Sequence, residues 1–383
     1  MLKYILLFTI ALSSHTVLSQ IIDRAEAVQE FHTNYIQSNI DSDLLQWTGD
    51  VTTCNPGTIS TIAKDKLLQR INYFRRMVGV EDQITFSPAL DIKCQQAVLM
   101  MNANDTLTHD PPDNLQCYTM VGDTAAQKSN LWGGHNNSSP YIDRDSLNPI
   151  NVYIQDRGSS NKKVGHRRWL LNSKAKTFGV GQTNDFNALW VIQSTNNPSV
   201  YNDYIAYPPN GYIPNELVYD RWSFGIPAAD FSNADVIVKD INNNNIPLTI
   251  VSDDATTSAD NSIVWEPSPI ITNSSEDVHY SVTINNVVLA NGTIETFTYT
   301  TKIFEPLIMG DVNVDGQLNI LDAVKVAHYV VGVASSGDCY DLDIGTELCI
   351  SLADTNSDGI INTLDAVAIA QCISMLPNVL CPN

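Results

Sequence analysis

Two stretches near the C-terminus repeat one spacing of oxygen-bearing side chains. "DVNVDGQLNILD" from Asp311 and "DTNSDGIINTLD" from Asp354 both read D-x-N-x-D-G and both end on an aspartate at the twelfth position. Calcium takes six to eight hard oxygens, and a twelve-residue loop with glycine at its sixth position supplies them. The spacing predicts two calcium ions. The predicted ligands are Asp311, Asn313, Asp315, Gln317 (backbone carbonyl) and Asp322 in the first loop, and Asp354, Asn356, Asp358, Ile360 (backbone carbonyl) and Asp365 in the second.

A second candidate site involves two histidines. His109 follows a helix-like run and precedes two prolines, whereas His166 lies in "VGHRRWLLN", ten residues after Asp156. Each histidine is either one corner of a site or a structural hydrogen-bonding group, and Asp156 is either a site acid or a solvated carboxylate. Cys117, eight residues from His109, is a disulfide partner, a buried thiol or a nucleophile. No G-x-S-x-G, HExxH or paired catalytic carboxylate motif is present, so no catalytic residue is assigned.

The elements that would position these residues are helices followed by strands. Apolar spacing predicts a helix over 60–79 and another that begins after Ser87, with Pro88 at its first position. A third helix is predicted to begin at Pro149 and to end by Gly158, and "TFGVGQ" and "NALWVIQS" are typical of strands.

Beyond residue 198 the sequence pattern changes from helical spacing to short alternating runs. Five short alternating runs separated by Asn, Asp and Gly turns predict a small Ig-like β-sandwich that serves as a spacer. The predicted fold class is therefore multidomain: an α+β domain, a β-sandwich and an all-α module of duplicated loop–helix units. The predicted boundaries are 1–19 for a signal peptide, 20–57 for an extension, 58–197 for the α+β domain, 198–305 for the β-sandwich and 307–383 for the calcium module.

Composition limits the partners and the compartment. The chain has 42 acidic against 21 basic residues and a net charge of −21, which disfavours nucleic acid and anionic membranes. Lys3 followed by an apolar run and small residues before Gln20 is typical of a secretory signal peptide, and no later apolar run is long enough to span a membrane. We therefore expect a secreted, extracellular protein without a transmembrane segment.

Seven cysteines fall into two groups separated by a middle region that has none. In an oxidising compartment this clustering predicts disulfides within modules, with at least one thiol left over. The expected pairs are Cys339 with Cys349 and Cys372 with Cys381. The remaining disulfide candidates are Cys54 and Cys94, with Cys117 left open.

The duplicated loop–helix segment at 307–378 resembles a type I dockerin, the calcium-folded module that docks onto cohesin domains in polysaccharide-degrading assemblies. The resemblance implies a cohesin-type partner, contacted through the tenth and eleventh loop positions. These positions are Ile320, Leu321, Thr363 and Leu364. The connection between the two copies is longer than usual and carries Cys339 and Cys349. A calcium-stapled module with no cohesin partner is the alternative.

Residues 58–195 resemble the bacterial branch of the CAP superfamily (cysteine-rich secretory, antigen 5 and pathogenesis-related proteins). The resemblance rests on the first helix, the histidine after the second helix, and "GHRRWLLN" followed by "GVG". It implies an α-β-α sandwich with a cleft lined by two histidines and two acids, which in some members hold a divalent metal. His109, His166 and Asp156 match three of these residues, whereas Ser129 stands where the second acid is usual.

The expected function is therefore a non-enzymatic secreted CAP protein whose cleft binds an unidentified ligand or partner. The alternative is a metal-dependent extracellular hydrolase, or an accessory component of a polysaccharide-degrading complex. In that alternative His109, His166 and Asp156 would hold zinc and leave one position open.

Overall fold

The computed structural model describes most of the chain. The described residues are 20–21, 23–133, 146–193, 196–255, 259–272, 274, 276–306, 309–312, 318–332, 352–355 and 358–374. The predicted signal peptide lies outside them, as do the predicted calcium ligands Asn313, Asp315, Gln317 and Asn356 and the cysteines Cys339, Cys349 and Cys381.

Nine helices are described, and the three that the sequence predicted are among them. Ser60 Oγ accepts the Ala63 amide at 3.0 Å and caps α3, whereas the Ser87 side chain makes no capping bond to α4. The helices among the described residues are α1 (Arg24–Glu30), α2 (Ser42–Leu45), α3 (Thr61–Met77), α4 (Pro88–Asn104), α5 (Met120–Lys128), α6 (Ile150–Gln155), α7 (Gly165–Leu170), α8 (Ile320–Val330) and α9 (Thr363–Ile373). After α1 the chain continues as a π-helical turn and a 3₁₀ turn to Ser38.

The first sheet belongs to the α+β region. Its strands are β1 (Thr85–Phe86), β2 (Ser129–Gly133), β3 (Thr177–Gln182) and β4 (Phe186–Trp190). Their order is β1-β3-β4-β2, in which β1 pairs parallel with β3 and the other pairs are antiparallel. Phe186, Ala188 and Trp190 join one buried cluster with α4 and α5, whereas Leu189 joins a second cluster with α3, α6 and α7. Apolar residues therefore cover the sheet on both faces, while the full α-β-α sandwich stays a prediction.

The "GVG" segment of β3 has a packing explanation. A Cβ atom at Gly179 would lie 2.3 Å from Leu90 Cβ, and one at Gly181 would lie 2.3 Å from the carbonyl carbon of Cys94. Such distances are impossible for real side chains, so only glycine lets α4 approach β3 this closely. The glycines thereby set the position of α4, and the turn that carries His109 follows α4 directly.

Two further sheets follow residue 198. All five strands predicted from alternation are present as β8 and β10–β13, and four shorter strands were not predicted. The strands are β5 (Ile205–Tyr207), β6 (Gly211–Pro214), β7 (Trp222–Gly225), β8 (Asp235–Asp240), β9 (Asn245–Ile246), β10 (Leu248–Ala255), β11 (Ser262–Pro267), β12 (Val278–Val288) and β13 (Ile294–Phe304). The sheet orders are β10-β11-β7-β5 and β6-β13-β12-β8-β9. Aromatic rings of the two sheets contact each other. The ring centroids of Phe224 on β7 and Phe297 on β13, for example, are 5.4 Å apart.

The hydrophobic core crosses the predicted domain boundaries. One cluster of buried residues includes Phe74 from α3, Trp222 from β7, Tyr280 from β12 and Ile369 from α9. The combination of helices and several sheets confirms the α+β class and fits a multidomain layout. No helix among the described residues is long and apolar enough to cross a membrane.

Candidate functional site

Asp156 lies at the end of α6, where the chain turns. It adopts the left-handed conformation (φ 53°) as the C-cap of the helix, a region that aspartate tolerates better than most residues. Although it is a carboxylate, it is only 1% exposed. A buried carboxylate is stable only when hydrogen bonds or a cation compensate for the lost water, so its partners decide its role.

The partners of Asp156 belong to the first turn of α7. His166 donates its Nδ1–H to Asp156 Oδ1 at 2.7 Å, and the His166 backbone amide donates to Oδ2 at 2.8 Å. The Arg167 amide makes a longer contact of 3.4 Å to the same Oδ2. Both carboxylate oxygens therefore hold His166, and in the neutral imidazole this arrangement places the proton on Nδ1 and leaves Nε2 as the acceptor.

His109 lies opposite His166, and we call the space between the two rings the histidine cleft. It lies in the turn after α4, and its Nδ1–H donates to the Ala126 carbonyl at the end of α5, at 2.8 Å. The two imidazole centroids are 6.5 Å apart with an angle of 21° between the ring planes. Whether the pair acts as a binding site stays a prediction.

Tyr153 and Asn130 complete the surroundings of His166, and sequence reasoning missed both. The Tyr153 ring lies 5.9 Å from the His166 ring, and its hydroxyl donates to Asn187 Oδ1 at 2.8 Å. Burial raises the pKa of Tyr153 well above its ordinary value, so this hydroxyl remains a donor at neutral pH. Asn130 Nδ2 donates to the His166 carbonyl at 3.0 Å. These contacts hold the ring and the backbone of His166 independently of Asp156.

Ser129 does not join the histidines. It is 2% exposed, and its Oγ lies 4.0 Å from Cys94 Sγ, within the cluster between the sheet and α4. Because neighbouring residues of a strand point to opposite faces, Asn130 rather than Ser129 faces the histidine side. The structure therefore places Asp156, His166 and His109 together and leaves Ser129 on the far face of the sheet.

The cysteine prediction is corrected in this region. Cys54 forms a disulfide with Cys117, and Cys94 is a free, fully buried thiol. Cys94 was wrong as a disulfide candidate because it points into the apolar contact between α4 and the sheet. The bond also removes Cys117 as a possible nucleophile. Cys372 is disulfide-bonded as well, and its partner lies outside the described residues.

Arg221 links the second region of the chain to the cleft, and no motif pointed to it. Its Nη1 donates to three carbonyls of the connection between α6 and α7: Asp156 at 3.1 Å, Gly158 at 2.9 Å and Asn161 at 3.1 Å. Its Nε donates to the Glu266 carboxylate at 2.9 Å. The segment predicted to be a spacer thus holds the backbone that carries Asp156.

The described residues do not fit the three-ligand zinc site of the hydrolase alternative. No group of three or more His, Cys, Asp or Glu side chains among them is placed to hold a metal. Asp156 already uses both oxygens on His166 and on the first turn of α7. His109 and His166 are thus left as a pair of neighbouring imidazoles, without Asp156 as a third ligand.

In the C-terminal repeat, the two copies have the same local geometry. Asp322 Oδ2 accepts the Asn319 amide and Asp365 Oδ2 accepts the Asn362 amide, both at 2.8 Å, so each twelfth-position acid closes a capping box on its helix. Both aspartates are fully buried. Asp311, the first position of the first loop, is 1% exposed.

Four of the five predicted ligands of the second loop, all but Asn356, are among the described residues. Asp354 accepts the amides of Asp358 at 3.1 Å and Gly359 at 2.8 Å, and the Ile360 carbonyl accepts Asn362 Nδ2 at 3.0 Å. Asp365 Oδ1 accepts the Thr355 hydroxyl at 3.2 Å, and no described cationic side chain pairs with Asp365.

The four predicted docking residues occupy matching positions on the first turns of α8 and α9. Ile320, Leu321 and Leu364 are 57%, 57% and 62% exposed, and Thr363 is exposed as well. Val324 and Val367 extend the exposed apolar surface by one turn on each helix. The placement suits an interaction surface, although it identifies no partner.

Comparison with known proteins assigns the region that contains the histidines. Residues 68–193 match the family model described as "CAP: Cysteine-rich secretory protein family". The chain carries a CAP domain. His109, Asp156 and His166 all lie inside the matched residues, which begin ten residues after the predicted boundary at 58 and end four before 197. No curated protein matches the chain.

Proposed function

We propose that this chain is an extracellular binding protein in which the CAP cleft between His109 and His166 holds the ligand. The observation that carries the proposal is the orientation of His166 by a buried carboxylate toward a second imidazole 6.5 Å away. Both rings are held through Nδ1, so in the neutral imidazoles each Nε2 can accept a hydrogen bond or coordinate a ligand. The Cys54–Cys117 bond supports an oxidising, extracellular location.

We further propose that the C-terminal repeat binds two calcium ions. The supporting observation is the buried Asp365 carboxylate, for which no cationic partner exists among the described residues. Buried charges are normally paired or coordinate metals, and a calcium ion supplies the missing charge. Asp354, Asp358 and the Ile360 carbonyl would hold the ion on the loop side. Through Ile320, Leu321, Thr363 and Leu364 the module would tether the protein to a cohesin-type partner.

The hydrolase alternative draws on the same Asp156–His166 pair, because a carboxylate-oriented imidazole is also the base of many hydrolytic centres. Ser129 and Cys117 are both unsuitable as nucleophiles. Ser129 lies on the far face of the sheet and Cys117 is in a disulfide. The binding reading is therefore the better supported of the two.

The test compares wild type with His109→Gln and His166→Gln. Thermal shift and calorimetric titration with zinc, copper and nickel, together with a panel of ester, peptide and glycoside substrates, would be run on all three. His279→Gln, on strand β12 of the distant sheet, is the control. We expect a ligand response that needs both cleft histidines and no turnover by wild type. Turnover that both cleft variants lose would favour the hydrolase, and a response unchanged in both variants would contradict a cleft site.

A further inference from the structure

A cavity that neither His109 nor His166 lines lies between the CAP domain and the strands that follow it. Its volume is about 660 Å³, within the range of small-molecule sites, which often form between domains. Three segments form the walls: Gln155 and Arg157 at the end of α6, residues 215–222 before and at the start of β7, and residues 267–272 after β11.

Two largely buried residues on these walls have side-chain polar groups without a hydrogen-bond partner among the described residues. Gln155 is 7% exposed and Trp222 is 1% exposed. Neither the Gln155 amide nor the Trp222 indole N–H has a hydrogen-bond partner among the residues that the structure describes. Since both residues line the cavity, a ligand in the cavity is the natural partner for an amide that donates and accepts and for an indole that donates.

The remaining lining residues indicate the chemistry of that ligand. Arg157 contributes one positive charge and Glu216 and Asp220 two negative charges, so the walls do not favour an anion. Asp220 is exposed, and no described side chain pairs with it. Tyr219 is half-buried, and its ring is held by stacking on Tyr207 with centroids 5.9 Å apart. Amides and carboxylates beside a fixed aromatic ring suit a molecule with many hydroxyls and apolar C–H faces.

We propose that this cavity binds a neutral oligosaccharide. Gln155, Trp222 and Asp220 bond to sugar hydroxyls, and Tyr219 contacts the C–H face of a ring. Gln155 and Arg157 flank Asp156 in sequence, and Asp220 and Trp222 flank Arg221. A sugar in the cavity therefore contacts both segments whose hydrogen bonds hold the Asp156 backbone. This site is separate from the histidine cleft and does not depend on the function proposed for it.

The experiment titrates the full chain with neutral hexasaccharides of glucose, xylose, mannose and N-acetylglucosamine, followed by calorimetry and tryptophan fluorescence. Gln155→Met keeps the side-chain length and removes the hydrogen bonds, and Asp220→Asn removes the exposed charge. Gln37→Met, at an exposed glutamine outside the cavity, is the matched control. We expect at least one sugar to bind wild type, with affinity lowered about tenfold in Gln155→Met and unchanged in Gln37→Met.

Thermal unfolding of each variant confirms that the fold is retained, and Asp220→Asn provides a second test should Gln155→Met fail to fold. Neutral hexapeptides are titrated in parallel. Absence of binding by all four sugars at millimolar concentration would overturn the proposal. Sugar binding that neither cavity variant weakens, or binding of the peptides alone, would overturn it as well.

Discussion

Asp156 is the residue on which the geometry of the cleft depends most. Asp156→Asn keeps the shape and the left-handed backbone, which asparagine also tolerates. It replaces one acceptor oxygen by an N–H₂ group that must face either His166 Nδ1 or the first amides of α7. We expect unfolding free energy to fall by about 2 kcal/mol, because one buried donor loses its acceptor. Urea unfolding followed by fluorescence measures this change in unfolding free energy.

Asp203→Asn is the control for that substitution, because Asp203 is exposed and has no hydrogen bond or ion pair within the described structure. We expect its stability to equal that of wild type. Equal stabilities of the Asp156 and Asp203 variants would show that Asp156 does not hold His166 as described.

Cys94 yields a second prediction at this scale. Burial raises the pKa of its thiol to about 12, so the thiol stays protonated and unreactive at pH 8. Unfolded chains ionise near the ordinary thiol value of 9.0, so this residue favours the folded state less as pH rises between the two values. We expect iodoacetamide to label Cys94 only in denaturant, as peptide mass spectrometry would show. Rapid labelling of the native protein would contradict the assigned burial.

The sequence located individual residues with mixed success. His109, His166 and Asp156 were found because the resemblance to the CAP family tied them to defined positions after and within helices. Ser129 and Cys94 were placed less well, because the pairing of a thiol and the face on which a strand side chain lies depend on register. Tyr153, Asn130 and Arg221 carry no motif, and their contacts exist only once distant segments are folded together.

The connection between α6 and α7 provides the first prediction at the scale of elements. Arg221→Ala removes the donors to three of its carbonyls, so we expect faster backbone amide exchange over residues 157–164 and a stability loss of about 2–3 kcal/mol. Hydrogen exchange with mass spectrometry localises the effect. Arg24→Ala is the comparison, since Arg24 forms a more exposed pair with Asp277, and should cost less than about 1 kcal/mol. Unchanged exchange over 157–164 would show that Arg221 does not hold this connection.

The contact between α4 and β3 provides a second prediction at the scale of elements. Gly181→Ala would place a methyl group against the Cys94 and Gln95 backbone, which cannot move like a flexible side chain. We expect a loss of about 3 kcal/mol in unfolding free energy. Gly165→Ala, where nothing lies within 4 Å of the added atom, should be close to neutral. Similar stabilities for the two variants in urea unfolding would contradict the close packing of α4 on the sheet.

Most long elements were predictable from local pattern. The helices at 61–77 and 88–104 and strands β10–β13 follow their hydrophobic periodicity. Short strands such as β5 (Ile205–Tyr207) and β7 (Trp222–Gly225) were missed, because two to four residues carry too little alternation and their Pro and Gly neighbours suggest turns.

One prediction concerns the response of the whole molecule to calcium. A single hydrophobic cluster includes residues of α8 and α9 as well as of the CAP domain. Calcium binding in the repeat should therefore change the stability of the whole chain. We expect millimolar calcium to raise the thermal midpoint of the full chain relative to chelator, and Asp365→Asn to reduce that shift by about half. Asp203→Asn serves again as the control. Identical midpoints with calcium and with chelator would contradict the calcium proposal.

The predicted division into modules does not account for the contacts across the boundary at residue 198. A spacer was expected after residue 198, yet Arg221 reaches the CAP domain and Arg167 of α7 donates to Ser223 of β7 at 3.0 Å. Composition marks a change of local structure, whereas these contacts depend on how two separately patterned regions pack. That information is not local to either segment.

The histidine cleft is tested most directly by ¹⁵N-histidine NMR of the full chain in alkaline buffer, where imidazoles are neutral. Long-range proton–nitrogen correlations assign the tautomer of each ring, with His109→Gln and His166→Gln identifying the signals. The structure predicts that both rings carry their proton on Nδ1, held by the Ala126 carbonyl and by Asp156, and present unprotonated Nε2 atoms to the cleft. Asp156→Asn should disturb the His166 signals more than those of His109. An Nε2-protonated tautomer at either histidine would contradict the account.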